Sequence, residues 1–331
     1  MNRILLLSTL IFAAAPVFAQ DIDIKAIVDG HVLPRYQSLA VEAADLAQSA
    51  TTDCRPDSDT LIAAYHDAFD AWIGASHLRF GPSEQDDRAF ALAFWPDPRG
   101  STPKALSALL QDQDAAVASS REFATVSVAA RGFYALEFLL FDPQFSNTAN
   151  ADYHCALVQA VATDISLNAS AILGDWETGY GALMSKPGND TYRTQTEAAQ
   201  QLFTSLATGL EFTSQTRLGR PMGTFDRPRP NRAEARRSAR SLRHVQLSLR
   251  ATQELAALIS IGHVGVDKAF EAAIQRADTL DDPVFAGVTA PQRRLRIEAL
   301  QQNIDLIRNM LAQEVGPALG IAAGFNSLDG D

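Results

Sequence analysis

The stretch RGFYALEFLLF, residues 131–141, decides how the chain is read. It is apolar on nearly every side of a helix, which predicts a buried helix and not an amphipathic surface one. Tyr134 and Glu137 stand three residues apart and share a face, with Arg131 one turn earlier on the same side. A buried carboxylate is costly unless it is paired or metal-bound, so Glu137 needs a partner. From the residues alone two readings stay open. One is an internal salt bridge to an arginine, with Tyr134 donating a hydrogen bond; the other is a site for a metal or a substrate.

Outward from this helix the chain is rich in Ala, Leu, Gln and Arg, with helical periodicity almost throughout and little strand-like alternation. Segment 22–50 has helical spacing with a break or kink expected at Pro34. Segment 58–79 puts Leu61, Ile62, Tyr65, Phe69, Trp72 and Ile73 on one stripe. Ser101-Thr102-Pro103 reads as a helix entry with the hydroxyls as caps. Segments 121–141, 152–175, 191–214, 231–260, 265–278 and 290–314 continue the pattern, Asn231 being the expected N-cap of the fourth. The predicted class is all-α, built as helical bundles. Pro187, Gly188, Asn189 and Asp190 punctuate the chain near its middle. That divides it into two helical-bundle-like domains, 20–186 and 187–331.

The first nineteen residues have a basic start at Arg3, an apolar run and small residues before a cut after Ala19. They read as a cleaved secretory signal without a lipobox cysteine, which predicts a periplasmic or secreted protein. No later stretch is expected to reach membrane-spanning length. The remainder carries 27 Lys and Arg against 39 Asp and Glu, a net charge of −12. That acidity argues against a general nucleic-acid binder. In an exported chain Cys54 and Cys155 are expected to form one disulfide, the alternative being two buried thiols. The chain-entropy model gives a cross-link of this span about 4–5 kcal/mol.

Motifs for common chemistries are missing: no H-E-x-x-H, G-x-S-x-G, Walker loop or G-x-G-x-x-G occurs. The six histidines never stand three or four residues apart, so a histidine-based metal site would have to be assembled by the fold. Residues 71–100 concentrate Trp72, Trp95, His77, Arg79 and several acids around Gly81-Pro82. A loop this aromatic is either functional or packed over a core. His77 reads either as a ligand or as a hydrogen-bonded core histidine. From Arg217 to Arg250 ten arginines face two acids, Asp226 and Glu234. This run is either a solvated face offsetting nearby acids or a docking surface for an acidic partner. The closing GFNSLDGD, 324–331, offers Asp329 and Asp331 as surface acids or cation ligands.

Taken in order, these motifs resemble the imelysin family, periplasmic or surface proteins linked to iron uptake and classed as metallopeptidases. The residues that carry the resemblance are His31-Val32-Leu33-Pro34-Arg35-Tyr36, Arg79-Phe80-Gly81-Pro82, Phe94-Trp95-Pro96-Asp97, Gly132-Phe133-Tyr134-Ala135-Leu136-Glu137 and Gly324-Phe325-Asn326-Ser327-Leu328-Asp329-Gly330-Asp331. The resemblance implies two bundle-like domains with the site between them and a role in iron acquisition. It departs from the family pattern at its centre, where the G-x-H-x-x-E histidine is Tyr134. Losing an imidazole weakens the case for a metal-bound hydrolytic water. A tyrosinate with carboxylates is instead a hard-oxygen set suited to ferric iron. The expected metal set is therefore Glu137, Tyr134 and His77, with iron rather than zinc as the candidate metal. Arg79, Trp95, Asp97 and Asp329 are the expected ligand-binding residues. The expected function is binding of iron or an iron-containing ligand, with another periplasmic iron-uptake or redox protein as partner. The alternatives are an imelysin-type metallopeptidase and an interaction protein docking through 217–250.

Overall fold

In the computed structural model, which describes residues 22–147 and 149–321, the regular structure is helical. Among the described residues there is no strand, only a bridge between Thr224 and Arg227. The expected signal sequence and the closing segment with Asp329 and Asp331 lie outside the described residues.

The longer helices are, in chain order, α1 (Leu33–Thr52), α2 (Asp59–Ala75), α3 (Ser101–Asp112), α4 (Gly132–Phe141), α5 (Ala151–Asp175), α6 (Gln195–Glu211), α7 (Ser241–Ile259), α8 (Val264–Asp278) and α9 (Pro291–Met310). In α1 the buried residues are Tyr36, Leu39, Ala43, Leu46 and Ala50. Their alternating spacing of three and four makes a narrow apolar seam, and that seam meets α2 and α5. Pro34 does not break the helix; it sits in the first turn of α1, after a π-helical turn at Val28–Val32. The chain is helical from Ile24 through that π turn into α1 without a gap, so the π turn is the local irregularity that accommodates the proline's missing N–H. α4 packs on α5, while α6, α7, α8 and α9 pack on one another. α2 also packs against α7, so residues distant in sequence meet beside α4. The turn residues 187–190 fall between the helix Gly181–Ser185 and α6.

Cys54, just beyond α1, is bonded to Cys155 in α5 across a Cα separation of 5.2 Å. α5 continues through a π-helical turn, Trp176–Tyr180, into Gly181–Ser185. That run, 151–185, is long and apolar enough to cross a membrane by length and composition, so the expectation that no later stretch reaches this length is corrected. The run packs on α1 and α4 and buries His154 and Asp164, as a core helix does.

Two helix boundaries also differ from the periodicity. α4 starts at Gly132, preceded by short turns at Ser120–Phe123 and Val128–Ala130. The expected helix over 231–260 begins only at Ser241, and Asn231 caps nothing. Residues 233–240 are irregular, with Ala235 and Ala239 in the left-handed region at φ 45° and 59°. Alanine pays about 1–2 kcal/mol for that conformation, so tertiary contacts must hold it.

Candidate functional site

α4 enters through Gly132 at φ +73°. Arg131, at its N-cap, does not reach Glu137. Its guanidinium grips the buried Asp164 of α5 through Nε at 2.9 Å and Nη2 at 2.7 Å. The acid at 137 takes a different partner: its Oε1 accepts from the Ser238 backbone N–H at 3.0 Å and the Ser238 hydroxyl at 2.8 Å. Burial pushes the Glu137 carboxyl above its usual range, opposed by these two donors and by Arg237.

Tyr134 donates its hydroxyl to Glu234. Burial, and then the charge of Glu234, hold this phenol well above its usual range, against the pull of Arg217. Glu234 is 1% exposed, and its Oε2 accepts from Arg217 Nε at 2.7 Å. Arg217 also donates to Ser248 Oγ at 2.9 Å. It is positioned by a π-helical segment, Phe212–Leu218, a geometry common at functional sites. His244 Nδ1 lies 3.2 Å from Glu234 Oε2, off the axis of a hydrogen bond. Burial alone would raise the Glu234 carboxyl; Arg217, His244 and Tyr134 outweigh it and bring it down to about 2. The buried salt bridge open on the sequence thus exists, on Glu234 instead of Glu137.

The irregular 233–240 segment explains itself here. It carries Glu234 and Ser238 to opposite ends of α4's polar face, and no regular helix continuing from 231 is seen. Sequence reasoning missed Glu234, Arg217, Ser238 and His244. The available signal was Glu234 itself, the lone acid between Arg227 and Arg250.

Two cavities flank Tyr134. The smaller, about 250 Å³, is lined by Trp95, Asp97, Tyr134, Glu137, Arg220 and Arg232 among others. The larger, about 620 Å³, is lined by His77, Arg79, Trp95, Tyr134, Arg217 and Glu234 among others. The rings of Trp95 and Tyr134 stack 6.0 Å apart and belong to both walls. Asp97 is committed to α3, accepting from the N–H groups of Ser101 and Thr102 at 2.9 and 2.8 Å. The carboxylate of Asp97, and not the hydroxyls of the Ser-Thr-Pro entry, caps that helix. Burial would raise the Asp97 carboxyl, and these N–H groups hold it below its usual range. Arg79 is forked onto Glu84, at 2.6 and 3.1 Å. The expected site residues therefore fall on two walls: Glu137 and Asp97 on one, His77 and Arg79 on the other, with Tyr134 and Trp95 shared.

His77 meets His31 instead of Glu137, Nε2 to Nε2 at 3.0 Å. Burial brings His31 down to about 3, with Arg35 adding to the fall. Burial, His31 and Arg35 likewise put His77 well below its usual range. Gly209 lets α6 approach: a Cβ there would stand 2.6 Å from His77 Cβ. Facing this pair are Arg35, Arg217 and Glu254, whose Oε2 is 4.0 Å from His31 Nδ1. Both imidazoles are neutral in the fold, while the unfolded chain protonates near 6.5. The stability they contribute is present above about pH 6.5 and is lost as pH falls, for His31 toward about 3. We expect the melting temperature to drop between pH 6.5 and 4, and His31→Gln/His77→Gln to flatten that dependence. An unchanged slope in the double variant would assign the acid sensitivity elsewhere.

Half of the arginine-rich run is paired with acids of the fold. Arg217 pairs with Glu234, Arg237 with Asp142, Arg240 and Arg243 with Asp70, and Arg250 with Asp278. As for a metal, the hard-oxygen donors Tyr134, Glu137 and Asp97 share one cavity, yet each is already hydrogen-bonded within the protein. Among the described residues no group of three or more His, Cys, Asp or Glu side chains is placed to hold a metal ion. Among the described residues, these engaged donors do not fit a resident bare ion.

Comparison with known proteins gives the following. The family model described as imelysin, peptidase M75, matches residues 32–309. The comparison with curated proteins gave no match. An imelysin-like protein from Psychrobacter arcticum 273-4 superposes with a TM-score of 0.76 at 18% identity, over 91% of this chain and 96% of that one. A candidate iron-regulated protein A precursor from Parabacteroides distasonis ATCC 8503 superposes with a TM-score of 0.68 at 13% identity, over 87% and 94% respectively. At these identities the two likenesses speak for the fold.

Proposed function

The chain belongs to the imelysin family, and on that premise we propose that it is an exported binding protein of iron acquisition that takes iron as an iron-containing ligand. The ligand sits in the cavity beside Tyr134 and Glu137. The observation that carries this reading is a small cavity with an aromatic wall whose oxygen donors are already engaged by the protein. Such a wall suits a ligand that brings iron already chelated, since a bare ion would have to break those bonds first. The iron connection is supported by the family and by the name of the Parabacteroides protein. Export is supported by the composition of residues 1–19 and by the disulfide. Peptide hydrolysis through a metal-bound water needs three converging ligands and an open position. The described residues offer no such group of His, Cys, Asp and Glu, which favours binding over peptidase chemistry.

The test is iron retention. Purified protein is mixed with ferric citrate, a ferric hydroxamate, a ferric catecholate, or simple ferrous and zinc salts, desalted, and analysed for metal. We expect stoichiometric iron from at least one ferric chelate and none from the simple salts. Trp95→Ala, which removes the aromatic wall, should weaken retention by about tenfold or more. Failure to retain iron from any chelate would overturn the reading.

A further inference from the structure

Resting on that reading, we infer that the smaller cavity is an oxyanion site, in which Arg220 and Arg232 grip a compact multivalent carboxylate or phosphate. Five arginines of the 217–250 run end on acids, but these two line the cavity with no carboxylate partner among the described residues. Arg220 is half-buried, and its Nε is sheltered from solvent without a hydrogen-bond partner. Its guanidinium carbon lies 5.8 Å from the centroid of the Trp95 ring, within cation–π range. Burial and the neighbouring Arg232 both make it harder for Arg220 to keep its proton. Arg220, half-buried, and Arg232, exposed, repel each other at one small cavity, and an anion between them removes the repulsion.

The rest of the wall does not supply that anion. Asp97 is held by the N–H groups that open α3, and Glu137 is held by Ser238. Arg237 is anchored by Asp142 at 2.6 Å and lies 3.6 Å over the Phe138 ring, adding a fixed positive charge to the rim. Guanidinium forks match carboxylate and phosphate oxygens in pairs, which gives such a site geometry as well as charge. Size narrows the class. The cavity, about 250 Å³, is below the roughly 300–1,000 Å³ typical for drug-sized ligands. It suits a compact polyanion, or the anionic arm of a larger chelate whose remainder stays outside.

The experiment is calorimetry on the full mature chain with iron-free citrate and, separately, inorganic phosphate. Wild-type protein should bind at least one of them, more weakly as salt is added. Citrate bound more tightly assigns carboxylates as the ligand class, and phosphate bound more tightly assigns phosphorylated ligands. Arg220→Gln should lower affinity by about tenfold and Arg220→Gln/Arg232→Gln by about a hundredfold. Arg243→Gln, on the Asp70 side of the fold, should leave affinity unchanged. Arg220→Lys keeps the charge but loses the fork, and should fall between wild type and Arg220→Gln. Binding of neither anion, or binding indifferent to Arg220 and Arg232 in variants that melt like wild type, overturns the proposal. The two readings fail separately. Anion binding without iron retention from any chelate keeps the oxyanion site and removes the iron function. Iron retention that survives Arg220→Gln/Arg232→Gln does the reverse.

Discussion

Glu234→Ala is expected to cost the protein about 3–5 kcal/mol of unfolding free energy, the penalty for leaving a buried charge unpaired. The carboxylate is 1% exposed and is shared by the Tyr134 hydroxyl and Arg217 Nε. Removing it strands a guanidinium that is itself 4% exposed, left with the Thr213, Ser248 and Ser76 hydroxyls and the face of the Phe212 ring but no opposite charge within ion-pair distance. Glu234→Gln keeps an acceptor for Tyr134 but not the charge, and should cost less. The pH dependence gives a second signature. Glu234 is held at about 2 against 4.5 for an ordinary glutamate, so its contribution is present above about pH 4.5 and lost as pH falls through about 2. The difference between wild type and Glu234→Ala should therefore shrink on acidification across that window. Urea denaturation followed by circular dichroism reads both. A loss under about 1 kcal/mol at neutral pH would mean the ion pair contributes only what surface pairs do.

The second large effect is Gly132→Ala, expected to exceed about 4 kcal/mol. A Cβ at this position would stand 2.2 Å from the Ala91 carbonyl oxygen and 2.3 Å from that of Leu92. Both obstacles are backbone, so no side chain can swing away to relieve them. The left-handed conformation at φ +73° adds about 1–2 kcal/mol for any residue with a Cβ. The matched control is Gly188→Ala, at φ +105° with nothing within 4 Å of its Cβ. Gly188→Ala should show the backbone cost alone, and the difference between the two variants isolates the overlap. Because α4 must shift to make room, Tyr134 and Glu137 should move with it, reshaping the cavities they line as stability falls. Equal, small losses in both variants would remove the close approach of α4 to residues 91–92 as a requirement of the fold.

What the sequence disclosed followed physical class. The all-helical fold was readable because apolar spacing in α1 and α2 repeats over several turns, and α4 announced its burial by being apolar all round. The disulfide was readable from two cysteines and the signal-like composition of residues 1–19. The demand that Glu137 have a partner was also readable, but its identity was not. Ser238 and Glu234 sit in a segment whose composition favours helix, and only contacts from α4 and Arg217 show why it is not one. Arg131 looked like the natural partner because it is one turn away, yet Asp164, 33 residues distant, satisfies it more completely. Asp97 likewise stood out as a ligand in its aromatic motif, although its first task is to close the end of α3. Local spacing shows which groups need company. Only the long-range packing of α2 on α7 and α4 on α5 determines which company they keep.

The shared wall of Trp95 and Tyr134 has a thermodynamic consequence. Whatever occupies the space by Glu137 touches the same two rings that bound the space by His77. Tyr134 is also tied to Glu234, and through it to Arg217 on the far side. A ligand in one cavity that moved either ring would reshape the other cavity as well, and any such coupling would be reciprocal. The chain thus has two cavities divided by one aromatic wall, so any substitution at Trp95 or Tyr134 alters the lining of both.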